Sequence, residues 1–456
     1  MNDQEYIQSL VDKGRQAMKE LEPYTQEQVD RLVRAIAKYV YDNAAELAEL
    51  SAKETRMGTA EFKTRKNQGK AKVIWHALKG KKSMGIISDD EESGIIEIAK
   101  PIGVIGAVQP TTNPQVTPMI NACSAIKCKN AIILAPHPRA QQTTTSLVES
   151  WNKILADMGA PKNLIQCVAD TSIDRTNLLM KTADIIVATG GPGMVKAAYS
   201  SGHPSFGVGQ GNVQTIVDRD VDMKEAIGMI VDGRTFDNGI ICSGEQTIIT
   251  PEDRWDEMRR ELEAAGGYWV DDAEDREKLL AVLFVDGHIN KDLVGKKVAE
   301  LAVAAGISVP KGTRVIVMPE DRANKDSVLR KEKMFPVIAP MKYGEFSEAI
   351  DIAIENLNIE GKGHSVSVHS HTPDHIKEVG LRVPVSRVIV NQPCATTAGG
   401  SFTNGLNPTS TLGCGSWGNN SVSENVYYKH FMNVTRVARV KKNPIVPDDD
   451  ELWAEV

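Results

Sequence analysis

The 456-residue sequence contains no apolar run near the roughly 18–20 residues that cross a bilayer. Stretches such as Ile102 to Val108 are short and interrupted by glycine, so no membrane partner is expected. An excess of basic charge is also lacking. The 53 Lys and Arg against 60 Asp and Glu leave a formal charge of −7, which argues against a nucleic-acid scaffold but allows a local basic pocket for a phosphorylated cofactor. The six cysteines (Cys123, Cys128, Cys167, Cys242, Cys394 and Cys414) form no CxxC pair. With no basic-then-apolar leader at the N-terminus, the expected compartment is a reducing cytoplasm, and association with a larger assembly stays open. No internal repeat is visible, and the only biased tract is the acidic Asp448 to Glu451. No metal is called for.

What is present describes a soluble enzyme with more than one lobe. The length exceeds the usual single domain of roughly 100–200 residues. Hydrophobic residues at 41% and charged residues at 25% permit a large core. Ile7, Leu10, Val11, Met18 and Leu21 recur at helical spacing, and Thr25-Gln26-Glu27-Gln28 reads as a capping box ahead of Val29, Leu32, Val33, Ile36 and Val40. Packing explains these first 80 or so residues; a docking helix is the alternative.

From Ile95 the pattern alternates strand and helix, as in a parallel sheet with crossovers. Strands are predicted at 131–134, 164–168 and 184–188, with helices at 141–155, 174–181 and 194–199. A second α/β block, from about Gly233 to Gly418, has strands at 315–318, 337–339, 365–369 and 388–391. Three regions are expected: 1–232 with the cofactor domain, 233–418 with the catalytic domain, and 419–456 as a C-terminal return.

Two stretches carry chemistry. Thr189-Gly190-Gly191-Pro192-Gly193 joins a strand to a helix, where backbone amides and the helix dipole favour phosphate. It is not the strict GxGxxG fingerprint, and such glycines also serve plain turns. Phe236-Asp237-Asn238-Gly239-Ile240-Ile241-Cys242-Ser243-Gly244 places turn formers just before a cysteine, a way to present sulfur to a cleft. A free thiol titrates near 8.5, so helix-terminal amides or a cation must lower that value for it to react readily at neutral pH.

This loop, with Lys100-Pro101-Ile102-Gly103-Val104-Ile105-Gly106 and Thr111-Thr112-Asn113-Pro114, resembles the aldehyde dehydrogenase superfamily over roughly Ile95 to Val437, and in detail its coenzyme A-acylating branch. The resemblance implies an α/β fold with a Rossmann-type cofactor domain, an α/β catalytic domain and a small oligomerisation strand element. It makes Cys242 the nucleophile and Asn113 an oxyanion donor beside the nucleophile's amide. His364, in Gly361-Lys362-Gly363-His364-Ser365, becomes a candidate for handling the proton of the incoming thiol. Thr111, Thr112, Gly190, Gly191, Gly193, Gly207, Val208, Gly209 and Glu332 are assigned to the cofactor. Pro136, His137 and Arg139 lie in a segment that lacks the lysine and glutamate hydrolytic relatives carry near the adenine ribose, so NADP and NAD are equally credible.

Alignment of Phe206-Gly207-Val208-Gly209-Gln210-Gly211-Asn212 puts Gly207 where hydrolytic members hold a glutamate base. Base assistance is worth roughly 100- to 10,000-fold, so water attacks slowly and coenzyme A thiol intercepts the acyl group. Agreement through Gly190 to Gly211, Phe236 to Gln246 and Ala395 to Gly400 resembles the succinate-semialdehyde dehydrogenases most, which implies a small anionic aldehyde. Sulfoacetaldehyde is the close alternative, and acetaldehyde or propionaldehyde a third. Ile241, Ser243, Thr396, Thr397, Gly399 and Ser401 are the expected substrate contacts. With so little chain after Ala438 no fused alcohol dehydrogenase is expected, and the strands at 430–440 and 95–99 imply a homodimer or homotetramer. A hydrolytic dehydrogenase and a non-catalytic nucleotide-binding protein are the competing readings.

Overall fold

The computed structural model describes residues 2–454. Four helices open it: α1 (Asp3–Leu21), α2 (Gln26–Asp42), α3 (Ala44–Thr55) and α4 (Ala60–Leu78). The capping box read at Thr25 forms, with Gln28 N–H donating to Thr25 Oγ1 at 3.3 Å and Thr25 N–H to Gln28 Oε1 at 2.8 Å. Ile7, Leu10 and Val11 of α1 are buried on the first sheet, so the apolar stripe is core. An antiparallel pair follows, β1 (Gly85–Asp90) and β2 (Ile95–Pro101).

The first parallel sheet is built from β3 (Val104–Val108), β4 (Ala131–Ala135), β5 (Ile165–Cys167), β6 (Ile185–Thr189) and β7 (Ser205–Val208). Its crossovers are α5 (Val116–Lys127), α6 (Gln141–Asp157), α7 (Ile173–Thr182) and α8 (Pro192–Tyr199). Strand alternation splits its side chains between two cores. Ile105, Ala107, Ile132 and Leu134 pack with α2, α5 and α6, whereas Val104, Val108, Ile133 and Ala135 pack with α1, α7 and α8. Each Ile or Leu so buried contributes about 1.5–3 kcal/mol relative to exposure. The strand order β5-β4-β3-β6-β7 reverses direction between β3 and β6, which is where open α/β sheets form a ligand crevice at the carboxyl ends of their strands.

The second sheet contains β8 (Val213–Val217), β9 (Glu245–Pro251), β10 (Gly267–Trp269), β13 (Val315–Val317), β14 (Val337–Tyr343), β15 (Val366–His369) and β16 (Val388–Val390). A hairpin of β11 (Phe284–Val285) and β12 (His288–Ile289) stands apart, and α9 (Met223–Thr235) joins β8 to β9. The spatial order is β10-β13-β14-β9-β8-β15-β16, with every pairing parallel. Finally β17 (Met432–Ala438) returns to β2 antiparallel, Met432 opposite Pro101 and Ala438 opposite Ile95.

Two expectations change. Because β8 pairs with β9 and β15, the second sheet begins at Val213 rather than after 232, and residues Gly209 to Asn212 are the crossing. The stretch Lys100 to Gly106, which the resemblance implies is the strand leading to the active site, divides between two sheets. β2 ends at Pro101, Gly103 turns the chain with φ of 123°, and β3 starts in a different sheet. The Asp184 carboxylate accepts the Val104 N–H at 2.7 Å and anchors that turn.

Candidate active site

The loop carrying Cys242 has an uncommon backbone. Asp237, Asn238 and Gly239 all adopt left-handed φ, at 50°, 55° and 76°, a conformation that Asp, Asn and Gly tolerate best and that persists where surroundings over-determine it. Here they do. The Asp237 carboxylate accepts from Lys63 Nζ at 3.0 Å, Lys66 Nζ at 2.6 Å and Thr59 N–H at 3.1 Å. Asn238 Nδ2 donates to the Gly295 carbonyl at 2.8 Å. The buried Arg234 guanidinium reaches the carbonyls of Gly239, Glu245 and Lys333, clamping the loop at both ends.

Cys242 opens into a cavity of about 470 Å³, within the range of small-molecule sites. Asn113, Ile241, Ser243, Thr396, Thr397, Gly399 and Ser401 line it as well, so the structure gathers the expected oxyanion donor and all the expected substrate contacts around one sulfur. Asn113 arrives from the segment after β3, and Cys242 from the loop before β9. Gly211 of the crossing segment packs so closely on the Cys242 carbonyl that any Cβ there would collide with it.

Burial pushes the Cys242 thiol up to about 12, and the nearby Glu332 carboxyl and Cys414 push in the same direction. The sulfur therefore holds its proton at neutral pH, the reverse of the activation that a reactive cysteine calls for. Glu332 is itself buried and pushed up to about 8, mainly by desolvation and then by Glu360. It faces Gln210 and Gly211 of the crossing between the sheets.

The glycine turn lies at the carboxyl end of β6, at the reversal of strand order, and Thr111 and Thr112 follow β3 on its other side. Gly190, Gly191 and Gly193 have no positive φ, and nothing stands within 4 Å of a Cβ at Gly191 or Gly193. The turn itself thus does not demand glycine, whereas a phosphate drawn close to the backbone would. Gly209 is equally open. Val208 is buried at the end of β7. At the end of β4, Pro136 is buried while His137 and Arg139 are exposed. Glu54 of α3 has its carboxylate oxygens taken by the N–H groups of Gln142 and Thr143 and the Thr143 hydroxyl. These positions fit a dinucleotide with or without a 2′-phosphate.

Gly207 has no space for a longer side chain. Its Cβ would stand 2.8 Å from Val195 Cγ1 and 3.0 Å from Tyr199 Cε2. His364 is fully buried and outside the cavity lining. Its Nδ1 faces Ser365 Oγ at 3.1 Å, and its Nε2 has no partner among the described residues. Burial, then Arg387, lowers it to about 3.

The cations of the site carry no motif of their own in the sequence. Arg65, Lys66, Lys70 and Lys72, all on α4, face the cavity. Lys70 Nζ donates to the carbonyls of Gly399 and Gly400, each at 3.0 Å, leaving one of its three N–H groups for a ligand. Burial and then Lys66 lower it to about 8. By contrast the hydroxyls of Thr396 and Thr397 donate to the Pro393 carbonyl, and Ser401 pairs with Thr403 at 2.6 Å. The signal was a helix carrying Lys63, Lys66 and Lys70 at a spacing of three and four, on a face that packs inward.

Comparison with known proteins agrees with this geometry. The chain is 48% identical over 453 residues to a succinate-semialdehyde dehydrogenase (acetylating) of Clostridium kluyveri, covering 99% of this chain and 100% of that one. It is 38% identical to a sulfoacetaldehyde dehydrogenase (acylating) of Bilophila wadsworthia, covering 98% of each. The crystal structure of an acetylating aldehyde dehydrogenase from Geobacillus thermoglucosidasius superposes with a TM-score of 0.93 at 34% identity, covering 98% of both chains. The aldehyde dehydrogenase family profile matches residues 1–431, and the chain belongs to that family.

Proposed function

We propose that this NAD(P)-dependent, coenzyme A-acylating oxidoreductase acts reversibly on a small aldehyde with an anion at its far end, succinate semialdehyde before others. The carrying observation is one cavity with Cys242 and Asn113 on its wall together with the α4 cations. A carboxylate directed at Lys70 receives the ammonium's third N–H while the aldehyde carbon lies toward the sulfur. The high similarity to the Clostridium relative supports the same substrate.

In this reading the Cys242 sulfur bonds to the aldehyde carbon, the C=O π bond opens onto the oxygen, and the sulfur's proton passes to solvent in the open cavity. The Asn113 amide and the loop N–H groups hold the oxygen that gains charge. Gly190, Gly191, Gly193 and Glu332 would hold the dinucleotide, with Arg139 and His137 near its adenosine end, and when bound its nicotinamide supplies the two-electron oxidation that leaves a thioester on Cys242. Coenzyme A thiol then attacks the thioester carbonyl and Cys242 leaves as thiolate. His364 lies outside the cavity lining and burial lowers its ring to about 3, so it is too weak a base to keep the incoming thiol proton; we assign to its unpartnered Nε2 only the relay of that proton onward.

A sulfonate satisfies the same cations, and the Bilophila relative favours sulfoacetaldehyde as the second reading. The small sheet of β1, β2 and β17, whose outer strands are largely exposed, supports a homodimer or homotetramer. Six unpaired cysteines fit a cytoplasmic protein.

The test is the rate of absorbance change at 340 nm with succinate semialdehyde, sulfoacetaldehyde and acetaldehyde, each with and without coenzyme A. A dependence on coenzyme A and a preference for an anionic aldehyde are expected. Activity surviving in Cys242→Ala, or rapid turnover without coenzyme A, would overturn the reading. His364→Ala should slow acyl transfer more than the oxidation step; equal small effects would remove His364 from it.

A further inference from the structure

Two segments must stay in register for Asn113 and Cys242 to serve one reacting oxygen, yet they belong to different sheets. Asn113 follows β3 of the first sheet, and the 236–243 loop precedes β9 of the second. Among the described residues no hydrogen bond joins segment 111–114 directly to segment 236–243. A single side chain bonds to both. Lys66 Nζ donates to Asp237 Oδ2 at 2.6 Å and to the carbonyl of Thr112, the residue before Asn113, at 3.3 Å.

We propose that Lys66 is a positioning residue that keeps Asn113 in register with the Cys242 loop. The proposal rests on the reading of Cys242 and Asn113 as the reacting pair. Lys66 is 8% exposed, so its ammonium has little water to turn to if either contact is lost. Asp237 keeps its grip on α4 through Lys63 and the Thr59 N–H even without Lys66. Removing Lys66 therefore leaves the nucleophile loop tethered but releases the Thr112 carbonyl, and with it the backbone that aims the Asn113 amide. Oxyanion donors work only within about 2.7–3.1 Å of the developing charge, and a displacement of 1 Å can cost on the order of 100-fold in rate.

Lys66 also faces the cavity, and contact with the substrate's anion is the competing role for the same side chain. The experiment separates the two. Turnover of Lys66→Met, Asn113→Ala and the double variant is measured with succinate semialdehyde and with uncharged propionaldehyde, alongside the cofactor dissociation constant and the melting temperature. A positioning residue lowers kcat by roughly 10- to 100-fold for both aldehydes and leaves cofactor affinity within about twofold. It also adds little once Asn113 is already gone, because the two changes act on the same interaction.

Lys66→Gln, which keeps a donor for the Thr112 carbonyl, should fall between wild type and Lys66→Met, and it replaces Lys66→Met in the cycle if that variant fails to fold. A loss confined to KM for succinate semialdehyde would make Lys66 a reader of the anion and overturn the proposal, as would losses that multiply with those of Asn113→Ala. Full turnover in Asn113→Ala would instead sink the oxyanion reading, and the positioning role with it.

Discussion

The hydroxyl of Tyr199 accepts the N–H of Gly207 at 2.9 Å while its ring fills the space a side chain at 207 would enter. The same oxygen accepts the Ser421 N–H at 3.1 Å, so Tyr199 joins the end of β7 to the C-terminal return. The missing glutamate is thus a repacked site and not a vacant one. Gly207→Glu alone should destabilise the protein by about 1–3 kcal/mol through overpacking, seen as a lower melting temperature, without faster acid formation in the absence of coenzyme A. Adding Tyr199→Ala should relieve the ring's share of the overpacking, while losing the two hydrogen bonds its hydroxyl accepts, and raise hydrolysis by up to roughly 100-fold. A gain in hydrolysis from Gly207→Glu by itself would show that Tyr199 does not stand in the way.

The thiol of Cys242 should resist alkylation in the free protein. Burial raises it to about 12, and only the thiolate reacts. The thiolate fraction therefore grows about tenfold per pH unit below that value. Iodoacetamide labelling of Cys242, followed by mass spectrometry, is expected to accelerate steadily from pH 7 to 10. A plateau beginning near 8.5 would mean an unperturbed sulfur.

Lys70 should make anion recognition depend on pH. Its folded-state value is lowered to about 8 by burial and by Lys66, so the free protein loses this positive charge as pH rises through 8. KM for succinate semialdehyde should climb above that pH while KM for propionaldehyde stays flat, and Lys70→Met should show a raised KM of about 10-fold or more at pH 7 for the anionic substrate alone. Parallel profiles for both aldehydes would place the anion elsewhere.

Gly191→Ala and Gly193→Ala distinguish a phosphate cradle from a simple turn. Neither position needs positive φ and neither Cβ meets an atom of the chain, so melting temperatures should hold or rise slightly. Cofactor binding, followed by protein fluorescence, should weaken by about 10-fold or more if backbone amides approach the pyrophosphate. Unchanged affinity would assign these glycines to the turn alone.

Much of this was readable along the chain, because local order leaves local signatures. The alternation of strands and helices from Ile95, the capping box at Thr25 and the strands at 131–135 and 185–189 are written in periodicity and in flanking turn residues. Cys242, Asn113 and the Ser243, Thr396, Thr397 and Gly399 lining were readable only through resemblance, since nothing in a short motif says that two loops 129 positions or more apart share a cavity. Where the second sheet begins is not legible locally, because α9 and the residues around Gly233 look like a fresh start, whereas β8 joins its sheet through hydrogen bonds to strands still to come.

The sequence by itself determined the class of chemistry. It shows a cysteine behind turn formers, an asparagine after a strand, a glycine turn and no glutamate at 207, each a covalent identity that folding cannot alter. Tertiary structure decided what surrounds them. It brought Lys66 and Lys70 of an apparently structural helix to the cavity, set Tyr199 against Gly207, and desolvated the Cys242 sulfur at the cavity wall so that it holds its proton. Charge, space and desolvation act through distances between residues far apart in the chain, and those distances exist only once the two sheets have closed on one another.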